Sequence, residues 1–189
     1  MNLIVSIAVV ACVAVAAFID VRESRIPNWL TLSSASLAIV LNFLHLGIQG
    51  LVWSVLGIAT GFSLLFLLYL LGGMGAGDVK LLGTVGAFVG PKLVFYTFIW
   101  MALIGGVMAL ILILYKRAFA QTLQNLKFLL LGWILRTSTS EATLTIRNQS
   151  LLKLPYGVAI ALGAIMAVCF QNIPGVAFQS GSMRLIWMK

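Results

Sequence analysis

At 189 residues the chain has the length of about one domain, and 62% of its residues are hydrophobic while only 8% are charged. A water-facing globule, which needs roughly a quarter of its residues charged, is excluded, as is a disordered chain, which would be poor in large apolar side chains; a bilayer is the solvent that fits. The net charge of +8, from 12 Lys and Arg against 4 acids, then reads as the basic bias of cytoplasmic loops rather than as a nucleic-acid footprint.

Residues 1–19 carry no charge and run up to Asp20. With no basic leader and no evident small-residue cleavage site, this stretch is expected to be a retained first membrane span. Trp29 to Gly77 is free of Asp, Glu, Lys and Arg, about 73 Å if helical, which is far more than one hydrocarbon thickness of about 30 Å. It must double back, and His45-Leu46-Gly47-Ile48-Gln49-Gly50 is the expected turn, with spans near 29–46 and 51–71. His45 at such a turn is expected to be solvated.

The glycine run from Gly72 to Gly77 leads into Asp78-Val79-Lys80 and a short apolar stretch closed by Gly90, Pro91 and Lys92. Residues 79–90 span only about 18 Å as a helix, so a crossing here draws the glycine segment into the membrane's thickness. Leu93–Tyr115 and Leu154 to about Gln171 are further spans, and the basic segment 116–153 between them contains Thr122–Leu135, apolar enough to lie along the interface. Cys12 and Cys169 each sit in an apolar run and read as small buried hydrophobes, since no paired spacing suits zinc or a redox disulfide.

If the short fourth segment crosses, Arg22, Arg25, Lys80, Lys116, Arg117, Lys127, Arg136, Arg147 and Lys153 share one side against Lys92, Arg184 and Lys189 on the other. If it only re-enters, that asymmetry vanishes. The expectation is therefore an all-α polytopic membrane protein of about six transmembrane helices, a single membrane-embedded domain over 1–189. Its N-terminus is outside, and Asp20, Asp78 and the basic loop at about 116–153 are cytoplasmic.

The only two aspartates thus lie at the cytoplasmic ends of different spans. Ionisable groups at a membrane boundary cost free energy and are functional candidates by default. Two facing carboxyls share a proton, so one is a base and the other an acid, the pairing that activates water against an amide. Plainer roles are open to each: Asp20 as a helix-end charge paired with Arg22 or Arg25, and Asp78 as a helix N-cap. The four glycines from Gly72 to Gly77 favour a site, because glycine is costly in a helix and is expected where a second backbone must come close. The run lacks the Gly-Lys-Ser/Thr ending of a phosphate cradle.

Gly75-Ala76-Gly77-Asp78 resembles the GxGD signature of intramembrane aspartyl proteases, and its extension through Val79-Lys80-Leu81 is similar to the form found in prepilin peptidases. Asp20 followed by Arg25-Ile26-Pro27-Asn28-Trp29-Leu30-Thr31 resembles that family's first aspartate and its downstream segment. Leu154-Pro155-Tyr156-Gly157-Val158-Ala159-Ile160 resembles the element that opens the last span. The resemblance implies that Asp20 and Asp78 are catalytic and that the substrate is a pilin precursor whose basic leader is cut at the cytoplasmic membrane face of the inner membrane, commonly after glycine; no metal or cofactor is implied.

The paired Cys-x-x-Cys motifs of the larger methylating prepilin peptidases are missing, so the chain looks like the short type of tight-adherence (Flp) pili, cleaving without assured methylation. Gly75, Gly77, Lys80, Pro155 and Gly157 are candidates for binding substrate or shaping its groove. Lys80 can equally be an interfacial lysine snorkelling to water, and Pro155 can simply open a helix. Two readings of other classes stay open: a small proton- or cation-coupled transporter using the same aspartates, and a noncatalytic pilus-assembly membrane protein.

Overall fold

The computed structural model describes residues 3–71, 73–115 and 156–171. The expected basic loop at 116–153, the interfacial stretch Thr122–Leu135, and Pro155 lie outside the described residues. The described residues form helices with no strand: α1 (Leu3–Glu23), α2 (Asn28–Leu46), α3 (Ile48–Leu70), α4 (Ala76–Tyr115) and α5 (Tyr156–Gln171). Among them α1 to α4 are long and apolar enough to cross a membrane, and Tyr156–Phe170 is a shorter apolar helix. The protein is an all-α, multi-pass membrane protein.

The helices begin and end where local chemistry dictates. Helix α1 runs through Asp20 to Glu23 and closes on Ser24, which takes a positive φ of 51° while its N–H donates to the Asp20 carbonyl at 2.8 Å. Pro27, extended at φ −69° and ψ 141°, then opens α2, as its fixed φ and missing N–H allow. The turn after α2 is tighter than the sequence implies. The expected loop from His45 to Gly50 contracts to Gly47 alone, at φ 60° and ψ −140°. Glycine permits this conformation, and the reversal presses Gly50 onto the Asn42 carbonyl, where a Cβ would overlap it. His45 lies in the last turn of α2 and is exposed.

Helix α4 is two helices joined at a break. Gly90 has φ 81° and ψ 176° and is followed by Pro91. The first limb, 76–89, is about 21 Å long at 1.5 Å per residue. From Leu81 onward it is buried on every side, which is why it reads as continuously apolar rather than amphipathic. Both limbs return to the same end of the molecule: Asp78 on the first is within electrostatic reach of Tyr156, and Gly105 on the second packs on Ala159, three residues along α5. The limbs therefore run antiparallel, and the break falls where the sequence reading separates its short fourth segment from the fifth.

Small residues let the buried limb in. Gly57 and Gly61 of α3 lie against the carbonyls of Gly86 and Leu82, so close that a Cβ on Gly57 would overlap the Gly86 oxygen and one on Gly86 the Gly57 oxygen. This is the close approach by which membrane helices gain van der Waals contact without a hydrophobic driving force. Polar groups complete the interior. The Asn42 amide donates to Ala87 O at 2.9 Å, Phe88 O at 3.3 Å and Ser54 Oγ at 2.9 Å. Ala87 O is the carbonyl that Pro91, lacking an N–H, leaves unmatched, and no bulk water is present at membrane depth to satisfy it. Large apolar side chains such as Leu32, Leu44, Leu103 and Ile111 face outward. Cys12 is buried as expected, but Cys169 is exposed: in a bilayer an apolar neighbourhood in sequence does not distinguish a lipid-facing position from an interior one.

Candidate active site

Asp20 stands in the last turn of α1 and Asp78 in the first turn of α4. Each is only 8% exposed, and the two carboxyls are close enough to act on each other electrostatically. Two acids buried together at the end of an apolar bundle carry a desolvation cost that needs compensation, and each finds a backbone donor. Gly157 N–H, in the first turn of α5, donates to Asp20 Oδ2 at 2.9 Å. Gly75 N–H donates to Asp78 Oδ2 at 3.3 Å, while Asp78 N–H donates back to the Gly75 carbonyl at 3.2 Å.

These contacts weigh the plainer readings. Asp78, the third residue of its helix, accepts from the N–H of Gly75 just before the helix, as the acid of a capping box does rather than an N-cap. Asp20 takes its hydrogen bond from Gly157, and the Arg22 guanidinium lies 4.5 Å above the Phe18 ring; Arg25 is exposed. The two acids stand on separate helices, and both are buried.

The candidate residues of the three sequence segments converge here, apart from Pro155. Gly77 packs on Ile26, whose Cβ would be 3.1 Å from a Cβ placed on Gly77, so the glycine seats the start of α4 against the segment that follows Asp20. A Cβ on Gly75 would lie 3.3 Å from Asp78 Oδ2. Lys80 is exposed at the rim, and its ammonium donates to Asn28 Oδ1 at 2.8 Å. Gly157 is buried against Asp20 itself.

Two neighbours carry no role in the sequence reading. Asn28 is the partner of Lys80, and Tyr156, half-buried, comes within electrostatic reach of Asp78. Both stand inside the segments singled out by resemblance, which was the available signal, but their contacts depend on how α2 and α5 dock. Among the described residues no group of three or more His, Cys, Asp or Glu is placed to hold a metal ion.

No curated protein and no solved structure matches the chain. A family profile, that of the type IV leader peptidases, matches residues 7–110, more than half of the chain and a range that includes both aspartates. The chain belongs to the type IV leader peptidase family, a family of aspartic-type peptidases that act on pilin precursors.

Proposed function

We propose that the chain is the endopeptidase that removes the N-terminal leader from a pilin precursor at the cytoplasmic face of the inner membrane, with Asp20 and Asp78 as its catalytic pair. The observation that carries this reading is that the chain's only two aspartates, from different helices, are both buried, with Asp78 inside the electrostatic reach of Asp20. Around one shared proton, the ionised carboxyl takes a proton from water as its oxygen attacks the scissile carbonyl carbon, and the protonated carboxyl donates to the carbonyl oxygen. Collapse of the tetrahedral diol breaks the C–N bond, with a proton passing to the leaving amine. The leader departs with a new carboxylate and the pilin with a new amino terminus.

The surroundings suit such a substrate. Glycines at 75 and 77 keep side chains away from the approach to Asp78, where an extended peptide is held largely through its main chain. Lys80, steadied by Asn28 at the rim, is placed to contact the substrate as it enters, and Pro155 is proposed to help shape the groove. The membrane arrangement proposed is one domain over 1–189 with six crossings, the two limbs of α4 counting separately, and with the Asp20 and Asp78 end cytoplasmic. That arrangement gathers the basic residues on one side. The tight-adherence type is part of the proposal and rests on resemblance.

Mass spectrometry of a co-expressed pilin precursor tests the reading. With the chain present the pilin N-terminus is expected to be shortened by its leader, and the same mass reads whether the new terminus is methylated. With the chain absent, or with Asp20→Ala or Asp78→Ala, the full precursor is expected. Cleavage that persists in either variant contradicts the dyad, and solute flux without any peptide product favours the transporter reading.

A further inference from the structure

We infer that Gly157 is a positioning residue for Asp20: the first turn of α5 holds that carboxyl in place through the Gly157 N–H, and does so only because residue 157 has no side chain. The inference rests on the reading of Asp20 and Asp78 as the catalytic pair.

The geometry is specific to this contact. Gly157 N–H lies 2.9 Å from Asp20 Oδ2. A Cβ on Gly157 would stand 2.8 Å from the same oxygen, 2.9 Å from Asp20 Cβ and 3.0 Å from Asp20 Cγ, closer than Cβ atoms approach other heavy atoms in proteins. Three atoms of one aspartate thus occupy the space a side chain would need, and φ at Gly157 is not positive. Backbone conformation therefore gives no reason for glycine here, whereas proximity to Asp20 does.

Position along the chain adds to the case. Asp20 lies at the C-terminal end of α1, where that helix's own dipole disfavours a carboxylate, and it meets the N-terminal end of α5, where free N–H groups and the opposite pole favour one. The same turn brings Tyr156 within reach of Asp78. One turn of α5 therefore holds Asp20 by a hydrogen bond and lies within electrostatic reach of Asp78. Displacing a reacting group by about 1 Å costs on the order of 100-fold in rate, so a methyl group at 157 acts on the chemical step rather than on substrate capture.

The test uses the full chain in lipid nanodiscs, with a pilin-precursor peptide that contains a basic leader, a scissile glycine and an apolar helix. Gly157→Ala is expected to lower kcat about 10- to 100-fold with KM and melting temperature close to the parent's. Gly163→Ala, on the same helix but pressed against Thr97 O and Met101 N at 2.9 and 2.8 Å, is the packing control. It is expected to lower the melting temperature while kcat per folded molecule is kept. A wild-type kcat for Gly157→Ala overturns the inference, as does a loss that merely follows the melting temperature in the manner of Gly163→Ala.

If Gly157→Ala fails to accumulate, the double variant Asp20→Gly with Gly157→Ala decides. Restored accumulation is expected, because the obstructing atoms belong to Asp20, and a double variant that still fails overturns the inference. Asp20→Asn and Asp78→Asn run alongside. Cleavage by either one refutes the catalytic reading itself, whereas inactive Asn variants beside a fully active Gly157→Ala refute only the role of Gly157.

Discussion

Lys80 and Asn28 show how a residue changes meaning once its partner is known. By itself Lys80 reads equally as a substrate contact or as a cation snorkelling to water, but its 2.8 Å bond to Asn28 Oδ1 fixes the ammonium at the rim of the site. An exposed hydrogen bond to a charged group contributes about 1 kcal/mol. Asn28→Ala is therefore expected to lower kcat/KM about 2- to 5-fold, with no additional loss in a Lys80→Ala background. A double-mutant cycle on peptide cleavage measures this, and additive losses would separate the two side chains. Residue types and spacing marked Asp20, Asp78 and Gly75 to Lys80 as a site from sequence, because aspartates are rare in this chain. The partners Asn28, Ile26 and Gly157 were not legible as such. Their roles depend on contacts between helices distant in sequence, and neither a glycine nor an asparagine announces which atom it will face.

Helix α4 shows what periodicity and punctuation convey and what they leave out. Gly90-Pro91 marks a break in any reading of the sequence. That the limb before it is the buried centre of the bundle follows only from the packing of Gly57 and Gly61 of α3 against Gly86 and Leu82, and hydropathy does not distinguish such glycines from loop residues. At Gly90, φ is 81° and the site of a Cβ is filled by the Trp53 indole. Gly90→Ala is therefore expected to destabilise by about 3 kcal/mol, combining backbone strain and overpacking. Asn42→Leu removes the donors to Ala87 O and Phe88 O and is expected to cost about 1 to 2 kcal/mol. Ser54→Ala, which leaves both of those bonds intact, is expected to cost less. Thermal unfolding in detergent gives the order, and a Ser54→Ala cost equal to that of Asn42→Leu would mean that the carbonyls are not what the amide serves.

At the scale of the whole molecule, the described residues have an apolar exterior and a largely apolar core, with glycines where helices press closest, a few buried polar side chains such as Asn42, Ser54 and Thr97, and two aspartates at one end. The class of fold was legible because composition dictates the solvent. The count of crossings depends on whether the short limb spans, which charge asymmetry argues and which labelling from each side decides. In a variant with Cys12 and Cys169 replaced by Ala, a cysteine at Ser24 is expected to react with a membrane-impermeant thiol reagent from the cytoplasmic side, and one at Lys92 from the outer side. Labelling of both from one side would remove the fourth crossing and with it the shared face of the basic loops.

The most direct test of the central claim is the turnover of a pilin precursor by purified Asp20→Asn and Asp78→Asn enzymes, followed by the mass of the released leader. Each amide keeps the shape of its carboxyl but cannot take part in the shared proton. The account predicts that both variants fold, bind the precursor and release no leader; leader appearing at the parent's rate from either one contradicts it.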